Sequence, residues 1–321
     1  MGRTDGACVD HGGFVGEAQF PAMGNTAHIV VHATDADRAK LLVEHGRDWT
    51  RALEAAWSRF MVTSDIARLN SARGRAIQIS PDTEVLIRYL LAAYQATDGL
   101  FNPFILPALL SAGYSLSLAG DGLPSCSAPA AHRNPSQRSV LLETVDGATW
   151  CRLLDGATLD PGGLGKGLAA DIVAERLVLN GARGALVSIG GDVRCAGESP
   201  DRDGWAIDIE AISHPAIGGT TVVLRSGAIA TSSTFAKRWH NGHHIIDPAT
   251  GSPIDESTRD ALRMASVIAS TAAWAEVFAT ATIVAGADTA GLILESRGLA
   301  GRFERSDGRV VSTTSFKEFA R

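Results

Sequence analysis

A glycine-dense turn, LDPGGLGKGLAAD at residues 159–171, runs straight into an apolar stretch from Leu168 to Leu179. Gly162, Gly163, Gly165 and Gly167 strip side chains from the approach to a helix. Backbone N–H groups can therefore approach an anion at the helix start, where the helix dipole also favours negative charge. Lys166 adds a positive charge between Asp160 and Asp171. The segment demands a tight loop followed by a helix, and it suits a phosphate; a tight strand-to-helix connection without a ligand fits the same residues. It is not a P-loop, because Asp160 stands where the first glycine belongs and Gly167 replaces the Ser or Thr after Lys166. Nor is it a dinucleotide fingerprint, because Leu168 occupies the position of the third glycine.

The order of the remaining signals restricts the fold. A turn at Met23–Asn25 precedes an apolar, β-branched run in 18–33, and residues 36–57 carry Leu41, Leu42, Leu53 and Trp57 at helical spacing, with Gly46 weakening the middle. WSRFMVTSDIARLN, ending at Asn70, is turn-rich. Ser80–Pro81 and Asp98–Gly99 bound a helix over 81–97. The second half alternates strand-like runs (185–190, 205–210, 220–231, 262–269) with helix-like ones (165–180, 271–286, 288–296), and Asp307–Gly308 marks a closing hairpin. No regular βαβ alternation emerges, so an α+β fold with mainly antiparallel sheets and packed helices is expected. Residues 1–17 read as a mobile start, 18–321 as one domain, and the Ser-, Ala-, Gly- and Pro-rich 114–139 as a loop or insertion.

A chain of 321 residues can bury an enzyme-sized core, and its net charge of −6 argues against a nucleic-acid partner. Cys8, Cys126, Cys151 and Cys195 are too scattered for a zinc site or a disulfide framework. The N-terminus shows no signal-peptide core or lipobox, and no stretch approaches the ~20 apolar residues of a membrane span. The expectation is a cytoplasmic protein with no integral membrane segment.

Four further segments carry possible chemistry. In 96–110, Leu100, Phe101 and Asn102 follow a helix exit, which a simple helix end also explains. In 185–197 a strand ends in Gly190–Gly191–Asp192, where backbone can lie against a flat ligand or merely turn. In 242–255, His243 and His244 fall on opposite faces of a strand before Asp247–Pro248, so at most one points into a given site. In 272–286, Glu276 and Thr280 share one face of an apolar helix and offer two oxygen ligands to a hard cation; a lone carboxylate there also commonly pairs with a lysine.

Taken in order, MGNTAHIVV, SRFMVTSDIARLN, TDGLFNPFILP, LDPGGLGKGLAAD, ALVSIGGDVRCAG, IATSS, HHIIDPATG and AEVFATATIVAG resemble the FAD:protein FMN transferase (ApbE) family over about residues 20–290. The resemblance implies an ApbE-like, T-fold-like architecture. It also implies Mg²⁺-dependent transfer of FMN from FAD to a Thr or Ser hydroxyl of a target flavoprotein, with release of AMP. Hydrolysis of FAD to FMN and AMP, or FAD binding without catalysis, are the alternatives.

By position, the resemblance puts Met23, Phe60, Leu100, Phe101 and Asn102 against the flavin or adenosine, Asp160 and Lys166 near the nucleotide and its pyrophosphate, and Ile245 at a further FAD contact. The Gly163 carbonyl, Glu276, the Ala279 carbonyl and Thr280 match the metal positions. A threonine hydroxyl is a poor nucleophile at neutral pH, and the resemblance points to His244 as the base; Asp247 is a candidate to orient or assist it, and the charge of Lys166 suits neutralising phosphate oxygens. Four departures stand out: Glu276 and Asn102 replace the usual Asp, and Pro161 and Ser233 replace the usual Leu and Gly.

Overall fold

The computed structural model describes residues 7–9, 13–117, 122–126, 135–210, 219–239 and 242–321. The described chain gathers into two compact units. The first gathers Met1–Arg51, Lys166–Ser233 and Asp255–Arg321; the second gathers Ala52–Gly165 and Thr234–Ile254.

The first unit is built on a nine-stranded antiparallel sheet. Its strands are β1 (Ala7–Val9), β2 (Gly13–Ala22), β3 (Asn25–Ala33), β7 (Gly184–Ile189), β8 (Asp192–Gly197), β11 (Gly227–Ser233), β16 (Leu262–Ala269), β17 (Ala300–Arg305) and β18 (Val310–Ser312), and they neighbour one another in that order. Successive side chains alternate between its faces. Ile229, Met264 and Ile268 join Val193, Cys195 and Ala300 on one face, beneath the hairpin of β9 (Trp205–Ile209) and β10 (Thr220–Leu224) and beneath Phe316. Ala230 and Ala269 meet Ala275 of helix α6 (Ala272–Ala285) in a second cluster. Helix α6 is apolar almost all round, which suits the buried position it takes. Helices α1 (Ala36–Trp57), α5 (Gly165–Leu179) and α7 (Ala287–Glu295) complete the helical set.

The second unit packs helices α2 (Asp65–Ser71) and α3 (Pro81–Ala96) with a three-stranded sheet of β4 (Ile77–Ile79), β6 (Ala148–Leu153) and β5 (Val140–Val145), in the order β4-β6-β5. Leu69, Ile79, Ile87, Phe104, Cys151, Leu153 and Leu159 form its core. A second cluster joins Leu109 of α4 (Leu106–Ser111) to Phe60, Tyr114, Trp239 and Ile246. Two ribbons complete the unit, β12 (Arg238–Trp239) with β13 (Gly242–His243) and β14 (Ile246–Asp247) with β15 (Ser252–Pro253).

Most element signals correspond to what forms. Ser80 caps α3 by accepting from the Thr83 amide, with Pro81 at the first position. Three segments differ. Residues 13–17, expected to be mobile, lie in β2, where 14–17 pair with β3 and Gly13 pairs with Val9 of β1; the remainder of that start, apart from β1, lies outside the described residues. The turn-rich segment ending at Asn70 contains α2, whose N-cap Ser64 accepts from the Ala67 amide at 3.0 Å. The run 220–231 is two strands, broken at Arg225–Ser226. Within 114–139, the described part holds a Leu116–Pro124 bridge and a 3-10 turn at Gln137–Ser139; residues 118–121 and 127–134 lie outside it. Among the described residues, no helix is long and apolar enough to cross a membrane.

Candidate active site

In the first unit, three elements converge on Lys166. It stands in the first turn of α5 and donates to Asp192 at the start of β8 and to Glu276 in the second turn of α6. The other Glu276 oxygen accepts the Gly167 amide at 2.8 Å. Asp192 and Glu276 are almost wholly buried, and two carboxylates face one ammonium. Burial on its own would lower the Lys166 pKa, but the charges of Asp192 and Glu276 outweigh it and raise the value. Asp192 is shifted upward, first by burial and then by the neighbouring Glu276 charge.

Glycine makes this convergence possible. Gly190 and Gly191, both at positive φ, turn β7 into β8 and deliver Asp192. A Cβ on Gly190 would stand 2.9 Å from the Asn25 side chain. The Gly190 amide also donates to the Thr26 carbonyl, so this turn lies beside the β2–β3 turn that carries Met23. One helical turn beyond Glu276, the Thr280 hydroxyl lies 3.0 Å from that of Ser232, and the Ala279 carbonyl accepts from Thr282 at 3.0 Å.

The second unit brings together another set. The Leu159 amide and carbonyl are both bonded by the Asn70 side chain at 2.8 Å, which pins the chain just ahead of Asp160. The Asp160 amide reaches the Pro103 carbonyl at 2.8 Å, joining this loop to the one carrying Leu100, Phe101 and Asn102. Phe101 is buried, and the Asn102 side chain accepts from Phe104 N, so it shapes its own loop. Asp160 accepts the Gly162 amide at 2.7 Å and pairs with buried Arg59 at 3.7 Å. The Arg59 guanidinium also lies over the rings of Phe60 and Tyr114, 4.5 and 4.3 Å from their centroids. Gly163 takes a φ of 81°, a conformation that suits glycine.

The two histidines separate as alternation requires. His243 is buried, with Nε2 against the Ile254 carbonyl and Nδ1 accepting the Ile245 amide, so both ring nitrogens serve the backbone. His244 is half-buried, and its Nδ1 lies 3.3 Å from the Lys237 carbonyl. A proton on Nδ1 for that bond leaves Nε2 as the basic nitrogen. Ile245 is buried. Asp247 accepts from Ala249 N and from the Thr250 hydroxyl, so its two oxygens shape the turn ahead of β15.

Three neighbours of the site carry no assignment from sequence: Arg59, Asp171, and Asp192 as the partner of Lys166. Asp171 is marked there only as a carboxylate flanking the lysine, and Asp192 only by the two glycines before it. Among the described residues, no three His, Cys, Asp or Glu side chains gather as a metal cluster.

These features define the class of protein: a mainly antiparallel α+β fold with a lysine–carboxylate centre where a glycine-rich loop starts a helix. The ApbE family model matches residues 23–303. The chain belongs to the ApbE family. Curated relatives named FAD:protein FMN transferase include one from Chlamydia trachomatis, 26% identical over 234 residues and 71% of each chain, and one from Vibrio cholerae, 26% identical over 246 residues, 73% of this chain and 72% of that one. The fold is also that of the crystal structure of the ApbE protein from Thermotoga maritima, with a TM-score of 0.81, 24% identity and coverage of 96% of this chain and 99% of that one. The apo flavinyl transferase ApbE of Pseudomonas stutzeri gives a TM-score of 0.75 at 23% identity, covering 96% and 97%.

Proposed function

We propose that this protein transfers FMN from FAD to a Thr or Ser hydroxyl of a target flavoprotein, forming a phosphoester and releasing AMP, with Mg²⁺ as the assisting cation. FAD:protein FMN transfer is the activity named for its relatives. The observation that carries the reading is the joining of Lys166, the Gly167 amide and Glu276 at the start of α5. The Lys166 ammonium suits a diphosphate, and the carboxylate beside it suits its cation.

The chain's own donors fit a hard cation. Glu276 and Thr280 lie one turn apart on α6, and the Ala279 carbonyl is a third oxygen of the kind a hard cation takes, with the Gly163 carbonyl proposed as a further ligand on the family resemblance alone. Two buried carboxylates against one ammonium leave a negative excess that favours a cation. Bound Mg²⁺ would neutralise charge growing on phosphate oxygens. Lys166 supplies the same help from the protein, while Met23, Phe60, Leu100, Phe101, Asn102, Asp160 and Ile245 hold the dinucleotide. His244 Nε2 takes the proton of the attacking hydroxyl, and Asp247 contributes by fixing the turn that follows it.

Incubating the protein with FAD, Mg²⁺ and a Thr-containing acceptor protein tests the reading. Flavin fluorescence that stays with the acceptor through denaturing electrophoresis is the expected result. Free FMN with AMP would establish hydrolysis instead, and unchanged FAD would reduce the protein to a binder. His244→Ala should lower transfer by about 10²–10⁴-fold while FAD still binds. Transfer at the wild-type rate would remove His244 as the base.

A further inference from the structure

Helix α5 carries a second charged residue on the side that meets α6 and the sheet. Asp171, 5% exposed, accepts the Ala272 amide at 2.8 Å and the Ala273 amide at 2.9 Å. These are the first two amides of α6, which have no partner within the helix. The third, at Trp274, is met by the Thr271 hydroxyl. From β8, Arg194 Nε reaches Asp171 at 3.2 Å and its Nη1 donates to the Cys195 and Gly227 carbonyls.

The same three elements are thus tied twice. On one rung, Lys166 of α5 joins Asp192 of β8 and Glu276 of α6. On the other, Asp171 of α5 joins Arg194 of β8 and the first turn of α6. Asp192 and Arg194 are two residues apart on one strand, so they project from the same face. Gly167 lies between the rungs on α5, where a Cβ would stand 2.3 Å from the Ala272 carbonyl oxygen, so the helices touch backbone to backbone.

We infer that Asp171 is a positioning residue for flavin transfer: it fixes the start of α6 against α5 and thereby sets where Glu276 and Thr280 stand relative to Lys166. The inference rests on the reading of Glu276 and Thr280 as cation ligands. Glu276 and Thr280 lie on the first three turns of α6, so a displaced helix start moves both oxygens together. Asn at position 171 keeps the size but presents one acceptor oxygen and an NH₂ to two amides that both donate.

The test is direct titration of the whole protein with Mn²⁺, followed by electron paramagnetic resonance as a stand-in for Mg²⁺, together with transfer kinetics against Mg²⁺. Asp171→Asn should weaken Mn²⁺ binding by about 10–100-fold, as loss of a supporting partner at a metal site does. It should raise the Mg²⁺ needed for half-maximal transfer by a similar factor and leave cation-free FAD affinity within about twofold of wild type. Thr271→Ala, which removes a cap from the same helix without touching the tie to α5, should lower thermal stability and leave Mn²⁺ affinity unchanged. If Asp171→Asn does not fold, Arg194→Met takes its place, and at least a threefold weakening is expected. Wild-type Mn²⁺ affinity in a folded Asp171→Asn or Arg194→Met protein, or equal weakening by Thr271→Ala, overturns the inference. Glu276→Gln separates the two levels: if it leaves Mn²⁺ binding intact, the ligand reading itself fails, whereas if it abolishes binding and Asp171→Asn does not alter it, only the positioning role falls.

Discussion

Asp171 holds a carboxylate away from water because two amides and an arginine replace the water, and its titration carries a stability consequence. Burial pushes its carboxyl up to about 6, with the Ala273 and Ala272 amides and Arg194 pulling the other way and Glu175 adding to the rise. Unfolded, the group titrates near about 3.9. The folded protein therefore keeps this proton over a window in which the unfolded chain has lost it. The contribution to stability is full below about 4 and is lost as pH rises through about 6. Asp171→Asn has no such proton. Urea unfolding across this window should show the stability difference between wild type and variant moving against the wild type by on the order of 3 kcal/mol from pH 4 to pH 7. Parallel curves would mean that the carboxyl titrates normally. At this scale the sequence displayed residue types well and partners poorly. Lys166, Glu276 and His244 stand out because their neighbours are glycines, alanines or a polar turn. The pairing of Lys166 with Asp192, 26 residues away, and with Glu276, 110 away, exists only once strands and helices have folded.

Elements were legible where local chemistry sets their limits. Helix α3 has its cap, its proline and its acidic first turn in the sequence, and α1 has its buried Leu42, Leu53 and Trp57 at helical spacing, although Leu41 remains exposed. Strand β2, GFVGEAQFPA, hid because it mixes glycine, alanine and polar residues and owes its pairing to β3. Helix α2 has only seven residues, too few for periodicity to show. Close packing between elements gives a sharp contrast between two glycines. At Gly167 an added Cβ would meet the Ala272 carbonyl and, at 2.8 Å, the Ala273 nitrogen, which are backbone atoms with no rotamer to take. At Gly46, in α1, it would meet the Ile29 Cδ1 at 2.9 Å, the end of a side chain that can turn aside. Gly167→Ala should destabilise by about 1–3 kcal/mol through overpacking. Gly46→Ala should fall within about 1 kcal/mol of wild type, because the helix preference of alanine offsets the crowding. Thermal unfolding of the two variants checks both, and equal stability would show slack where α5 meets α6.

At the scale of the whole molecule, the feature the sequence could not display is that each of its two units is assembled from separate stretches of the chain. Strand and helix signals describe stretches of a few residues, whereas unit membership is decided by which distant stretches bury each other's apolar side chains. The second unit recruits Thr234–Ile254 from deep within the segments of the first, and Trp239 and Ile246 join Phe60, Leu109 and Tyr114, with the Tyr114 and Trp239 rings stacked at 5.4 Å. The Trp239 indole also donates to the Ala112 carbonyl. By contrast, each pairing of the nine-stranded sheet lies within the first unit, including β11 with β16 on either side of the excursion. Replacing 234–254 with a flexible Gly/Ser linker should therefore leave the sheet folded and strip the cover from the Phe60–Leu109–Tyr114 cluster. Hydrogen exchange followed by mass spectrometry should then find protection retained over 184–197, 227–233 and 262–269, and lost over 104–116, since local opening follows the loss of buried apolar contacts. Loss of protection throughout the sheet would show that the first unit depends on the excursion, and unchanged protection over 104–116 would show that the aromatic cluster does not need Trp239 and Ile246.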